Sequence, residues 1–213
     1  REEPVPVVRQ PVMRASGQVF AYALLYPEPG EADPAAAGRA ASRILSSVLA
    51  LGLDTLTAGR PALLPFTRAL LCAEVPPLPA PVLMPTLPAS VGVDDEVVAA
   101  CARLAARGYA VCLDGFLAGG PLEALLPHAR YLQVDARRAS MGESAAVAAL
   151  AAAHRLQLMA RGVESHEVAQ RLHEQGYQLF QGRHLATPTP AHAAPGRAAA
   201  LAHTRVLRAL NRP

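Results

Sequence analysis

The sequence predicts an α/β fold in which strands alternate with helices and close into a barrel. Three observations predict it. Short apolar runs of strand character are separated by longer stretches of helical character, the pattern of βαβ units and a mostly parallel sheet. Eight such runs occur, enough to close a sheet on itself. A chain of 213 residues can bury one substantial core and falls within the range of a single barrel.

The elements follow in order. Val5–Val8 is a short apolar run, and Val19–Tyr26 follows the turn signal Arg14-Ala15-Ser16-Gly17, so the first two strands are expected to form an antiparallel hairpin. Glu28–Asp33 is a Pro/Gly loop, and Pro34 suits the first turn of a helix that runs to about Leu51. Pro61–Phe66 and Pro81–Leu87 are the next strands, linked by a proline-rich stretch at Pro76–Pro81. Asp94–Arg107 is an amphipathic helix that opens on acidic residues and stops at Gly108, as the helix dipole and C-cap chemistry favour. Then come a strand at Tyr109–Leu113, a short helix at Pro121–Leu126, a strand at Tyr131–Val134 and a helix at Ser144–His154. Leu156–Ala160 is a strand, Ser165–Gln175 a helix that ends at Gly176, Tyr177–Phe180 the last strand, and Gly196–Leu210 a final helix.

Composition excludes several classes of function. The longest apolar stretches are broken by Arg, His, Glu or Pro before they reach about 18 residues, so no membrane span is expected. The net charge of +3 lacks the clustered basic stripe of a nucleic-acid binder, and no nucleic-acid partner is expected. All 20 basic residues are Arg, which rules out a lysine base or Schiff base within this chain. Cys72, Cys101 and Cys112 have no metal-type spacing and read as free thiols in a reducing cytoplasm.

Arg9-Gln10-Pro11-Val12 followed by Val19-Phe20-Ala21-Tyr22-Ala23-Leu24-Leu25-Tyr26 is the first of several segments that, in order, resemble one family; it resembles the opening of the EAL domains, bacterial cyclic-di-GMP phosphodiesterases. Cys112-Leu113-Asp114-Gly115-Phe116 resembles the Leu-Asp-Asp-Phe strand end, and Leu132-Gln133-Val134-Asp135 the Lys-x-Asp strand. Ala160-Arg161-Gly162-Val163-Glu164-Ser165 resembles Ala-Glu-Gly-Val-Glu-Thr, and Phe180-Gln181-Gly182 with Pro188 the closing Gln-Gly…Pro pattern. The resemblance implies a modified TIM (β/α)8 barrel with an antiparallel first strand over residues 1–195. It is greatest to domains followed by an HDOD domain, which would make residues 196–213 a helix leading into one.

By this resemblance the metal-binding and catalytic positions are degenerate. Where the family has Glu, Asn, Glu, Asp, Lys and Glu, this chain has Ala23, Pro65, Pro85, Gly115, Gln133 and Arg161, and the second Glu of a Glu-x-x-Glu pair falls on Pro88. Divalent ions of the Mg²⁺ type need several oxygen ligands, and Asp114 is the clearest one retained. The expectation is therefore a pseudo-phosphodiesterase with no metal, no cofactor and no catalytic residue, acting through a protein partner. Gln10, Asp114, Asp135, Glu164 and Gln181 match nucleotide-contacting positions, which keeps a non-hydrolysing cyclic-di-GMP receptor as the alternative, and an active enzyme with relocated ligands as a third. The simpler expectation for these five is barrel-end hydrogen bonding.

Other candidates carry less. His166 and His173 share a helix face with no nearby Cys, Asp94-Asp95-Glu96 suits a helix N-terminus, and Arg137-Arg138 reads as a solvated loop. Ala145–Ala153 is a smooth helical surface that packs within the outer ring or, as in family members that pair near this region, against a second copy as a homodimer.

Overall fold

Alternation of small and branched apolar side chains along each strand sends one set inward and the other outward, and the sheet closes around the inner set. In the computed structural model the described residues are 7–25, 34–73 and 79–191. Strands β1 (Val8–Arg14), β2 (Val19–Leu25), β3 (Ala62–Pro65), β4 (Leu83–Pro88), β5 (Cys112–Asp114), β6 (Tyr131–Asp135), β7 (Gln157–Arg161) and β8 (Leu179–Phe180) form the barrel. From β2 to β8 neighbours are parallel and in chain order, while β1 runs antiparallel to both β2 and β8 and so closes the ring. A short strand β9 (Thr189–Pro190) adds antiparallel to Val8 and Arg9 on the remaining edge of β1.

Helices α1 (Pro34–Leu51), α2 (Leu53–Thr57), α3 (Arg68–Cys72), α4 (Asp95–Ala106), α5 (Met141–His154) and α6 (His166–Glu174) lie in the connections, with 3₁₀ turns at Ala89–Val91 and Pro121–His128. Two hydrophobic cores result. Inside the barrel are Val12, Ala21, Ala23, Leu63, Met84, Cys112, Tyr131, Met159 and Leu179. Between strands and helices lies a larger core that includes Leu64, Leu83, Leu87, Leu113, Leu132, Leu158, Leu45, Leu104, Val147 and Leu172.

The expected elements shift at several ends. The first strand is Val8–Arg14 rather than a run ending at Val8; it passes through Pro11, which is tolerated because β9 takes Val8–Arg9 and β8 takes Met13–Arg14, leaving the outer edge between them unpaired. Its hairpin with β2 turns at Ala15–Gln18, where Arg14 N–H donates to the Gln18 carbonyl at 2.8 Å. The fifth strand begins at Cys112, three residues later than expected. Helix α5 begins earlier, at Met141, because Ser140 and Glu143 form a reciprocal capping box. The segment after β5 is a 3₁₀ turn, with Pro127 inside it opposing a regular α-helix. Helices α2 and α3 were not foreseen. The Glu28–Asp33 loop and the Gly196–Leu210 helix lie outside the described residues, as does part of the Pro76–Pro81 stretch.

Candidate functional site

At the C-terminal ends of the parallel strands the inward side chains form the mouth of the barrel, the place where such barrels carry chemistry. Because β1 is antiparallel, its first half meets this end, with Gln10 opposite Ala23. Around the ring Pro65 pairs with Thr86, Pro88 with Asp114, Asp114 with Gln133, and Asp135 with Arg161. Ala23, Asp114, Gln133, Asp135, Arg161, Gln10 and Gln181 thus converge on one face. Pro85 does not: it shares the outward parity of Leu83 and Leu87, and the inward residue at that level is Thr86, which sequence comparison passed over. The parity of Met84 in the barrel interior was the signal that could have found it.

The charged half of the mouth is built from β5, β6 and β7. Arg161 Nε lies 2.9 Å from Asp114 Oδ1 and Arg161 Nη2 lies 3.4 Å from Asp135 Oδ2. The Arg161–Asp114 contact is an ion pair whose atoms are not aligned as a hydrogen bond. Arg137, in the loop after β6, closes on Asp135 from the other side, with Nε donating to Oδ1 at 3.1 Å and Nη2 to Oδ2 at 2.9 Å. Its own backbone N–H also donates to Asp135 Oδ1, at 3.0 Å. Burial pushes the Asp135 carboxyl up, but the Arg137 hydrogen bonds and the Arg161 charge outweigh burial and hold it below the ordinary carboxylate range.

The neutral half is a chain of amides. Gln133 donates to Gln181 at 3.3 Å, Gln181 donates to Gln10 at 2.9 Å, and Gln10 donates to the Ala186 carbonyl at 3.1 Å. Gln133 Nε2 also contacts the Met159 sulfur at 3.0 Å. All three glutamines are buried. Glu164 stands apart, exposed on the rim and paired with Arg183 at 3.2 Å.

Two glycines make this packing possible. Gly162 has φ of +70°, and a Cβ there would fall 2.8 Å from Arg137 Nε and 2.9 Å from Asp135 Oδ1. A Cβ on Gly182 would fall 2.0 Å from the Val163 carbonyl oxygen, so the two motif loops interlock backbone to backbone. Gly115, just past β5 at φ +65°, has open space around it and turns the chain so that Phe116 can bury and donate its N–H to the Gln133 carbonyl at 3.0 Å.

A divalent cation does not fit this arrangement. The carboxylates of Asp114 and Asp135 are engaged by guanidinium groups, and Ala23, Pro65, Pro88 and Gly115 offer no side-chain oxygen. Among the described residues no three His, Cys, Asp or Glu side chains are grouped to hold a metal. His166 faces His184 across the two rim loops, ring centroids 6.1 Å apart, while His173 packs by its edge against Phe180. Asp94 caps α4 and pairs with Arg68 at 2.7 Å. Cys112 is fully buried inside the barrel, and burial raises its thiol well above the usual range, which makes it inert. No helix of the described residues is long and apolar enough to cross a membrane.

Comparison with known proteins agrees on the fold. No family model matches the chain. It is 28% identical over 191 residues to the uncharacterized protein YuxH of Bacillus subtilis, covering 85% of this chain and 47% of YuxH. It is 25% identical over 194 residues to the cyclic di-GMP phosphodiesterase CdgJ of Vibrio cholerae, covering 85% of this chain and 44% of CdgJ. The chain thus spans less than half the length of these curated relatives. Among solved structures, the EAL domain of Mycobacterium smegmatis DcpA superposes with a TM-score of 0.68 at 20% identity, covering 96% of this chain and 98% of that one. The PaMucR phosphodiesterase, solved as a c-di-GMP complex, superposes with a TM-score of 0.68 at 18% identity, covering 87% and 92%. The fold of this chain is the EAL-type barrel.

Proposed function

We propose that this chain is a degenerate EAL domain that has no phosphodiesterase activity and acts by contacts with other proteins. The observation that carries the proposal is Arg161, whose guanidinium lies between Asp114 and Asp135 where the strand ends of an active barrel would offer carboxylates to metal ions. Metal-assisted hydrolysis uses the ion to generate a nucleophile and to neutralise charge developing on phosphate. A fixed guanidinium can do the second in part and cannot do the first. Gln133 stands where the resemblance places a lysine; its amide carries no charge and no titratable proton, and it is committed to Gln181.

Incubation with cyclic-di-GMP and Mg²⁺ or Mn²⁺ tests this directly. The expected result is no linear dinucleotide above a protein-free control; turnover that disappears in Asp114→Ala would overturn it. Titration calorimetry with cyclic-di-GMP addresses the receptor alternative, which the exposed rim arginines Arg137 and Arg183 favour. Binding at micromolar or tighter concentration would replace the protein-contact role with nucleotide sensing.

A further inference from the structure

We propose, building on the protein-contact role above, that the opposite end of the barrel is a docking surface for an acidic segment of a partner polypeptide. The modest net charge conceals how the fold distributes it. Arg14 at the β1–β2 hairpin, Arg60 before β3, Arg107 after α4, Arg130 before β6 and Arg155 after α5 all fall on connections at the N-terminal ends of the parallel strands. All five are exposed, and none is matched by a carboxylate among the described residues. The described acids near this end are Asp54, in the short α2 ahead of Arg60, and Glu174, in the last turn of α6, and neither forms an ion pair with the five arginines. Asp94, Asp95, Glu96, Asp114, Asp135 and Glu164 lie at the other end, at or just past the strand C-termini.

Helix dipoles account for only part of this. A cation near a helix C-terminus is favourable, which suits Arg107 and Arg155. Arg60 follows the end of the short α2, whereas Arg14 lies on a hairpin and Arg130 immediately before a strand, where no α-helix ends beside them. One of the arginines, Arg130, lines a shallow cleft of about 340 Å³ between the end of α4 and the start of β6, together with Tyr109, Tyr131 and His128 among others. Arg14 stacks 4.7 Å from the Phe20 ring, and Phe20 packs 5.9 Å from Tyr131, so that guanidinium is held at the surface by packing.

The chemistry selects a carboxylate-bearing protein over other anions. Guanidinium groups present a planar fork that matches carboxylates two bonds at a time. Single-stranded nucleic acid would need aromatic faces open for base stacking, but Tyr109 and Tyr131 are only 6% and 8% exposed. An anionic membrane would be met by apolar anchors beside the charges. The large hydrophobic side chains found exposed, Leu25, Leu117 and Met141, all lie at the mouth end instead.

Fluorescence anisotropy of a labelled polyglutamate peptide, titrated with the chain in about 0.1 M salt, tests the assignment. Saturable binding is expected, weakened about tenfold or more in Arg14→Glu/Arg130→Glu and unchanged in Arg138→Ala/Arg183→Ala at the mouth rim. Because Arg14 also packs on Phe20, Arg60→Glu/Arg155→Glu is the second reversal, with circular dichroism confirming that each variant is folded. No binding, equal loss in the mouth-rim variant, or tighter binding to single-stranded RNA or phosphatidylserine vesicles would overturn the proposal. Those results leave the hydrolysis assay untouched, so the absence of catalysis stands or falls separately.

Discussion

Replacing Arg161 by alanine removes the guanidinium between Asp114 and Asp135 and leaves two carboxylates near one another in a half-enclosed mouth. Urea denaturation should show a loss of about 1–3 kcal/mol, less than for a fully buried pair because Arg161 and Asp114 keep 27% and 22% of their side-chain exposure. Asp135 supplies a pH dependence of definite sign. Its folded carboxyl lies below its ordinary value, despite the upward push of burial. Stabilisation from this group is therefore complete above the unfolded value near 3.9 and is lost as pH falls through the lower folded value. The urea midpoint should drop on acidification below about pH 4, and Asp135→Asn should flatten that drop; an unaltered acid limb in the variant would assign it to other carboxylates. That Arg161 stands where the resemblance expects a glutamate is legible in the motif Arg161-Gly162-Val163-Glu164. Which carboxylates it reaches is not, because that depends on the register of three strands that a one-dimensional pattern does not contain.

At the scale of elements, the two motif loops after β7 and β8 act as one unit. Gly182→Ala places a methyl group 2.0 Å from the Val163 carbonyl oxygen, so its loss of stability should exceed about 3 kcal/mol, or no folded protein should be recovered. Gly115→Ala meets open space and incurs only the positive-φ penalty, about 1 kcal/mol. Comparable losses in the two variants, measured by thermal unfolding, would contradict the interlock. Helix α5 offers a milder case: Ser140→Ala removes the hydroxyl that accepts from Glu143 N–H at 3.2 Å and should cost about 1 kcal/mol. Periodicity and turn residues made most strands and helices readable. They misplaced β1, taking the apolar run Val5–Val8 for the strand, whereas the strand continues through Pro11, where the edge between β9 and β8 is unpaired. The family resemblance put Pro85 among the mouth residues, an error of one position that period-two geometry turns into a change of face.

For the whole molecule, the positions that the proposed function counts as degenerate are spread around the ring rather than confined to one strand. Arg161→Glu, the change to the residue the resemblance expects there, should give no cyclic-di-GMP hydrolysis with Mn²⁺, because Ala23, Pro65 and Gln133 still withhold ligand and charge. Measurable turnover in that variant would show the remaining sites to be sufficient. Barrel closure was legible in the count of strands and in their order, whereas the partition of charge between the two ends was not. Each arginine is unremarkable in its own segment, and only the topology gathers them. The same topology bears on how the chain folds. Gln10 and Gln181 share a hydrogen bond across 171 positions of sequence, and β1 meets β8 and β9 only after the intervening strands exist. Contacts so distant along the chain incur the largest loop-closure entropy and are made late. The β1–β8 seam is therefore expected to zip last and open first, so amide protons along it should exchange with solvent ahead of those in the β3–β7 wall.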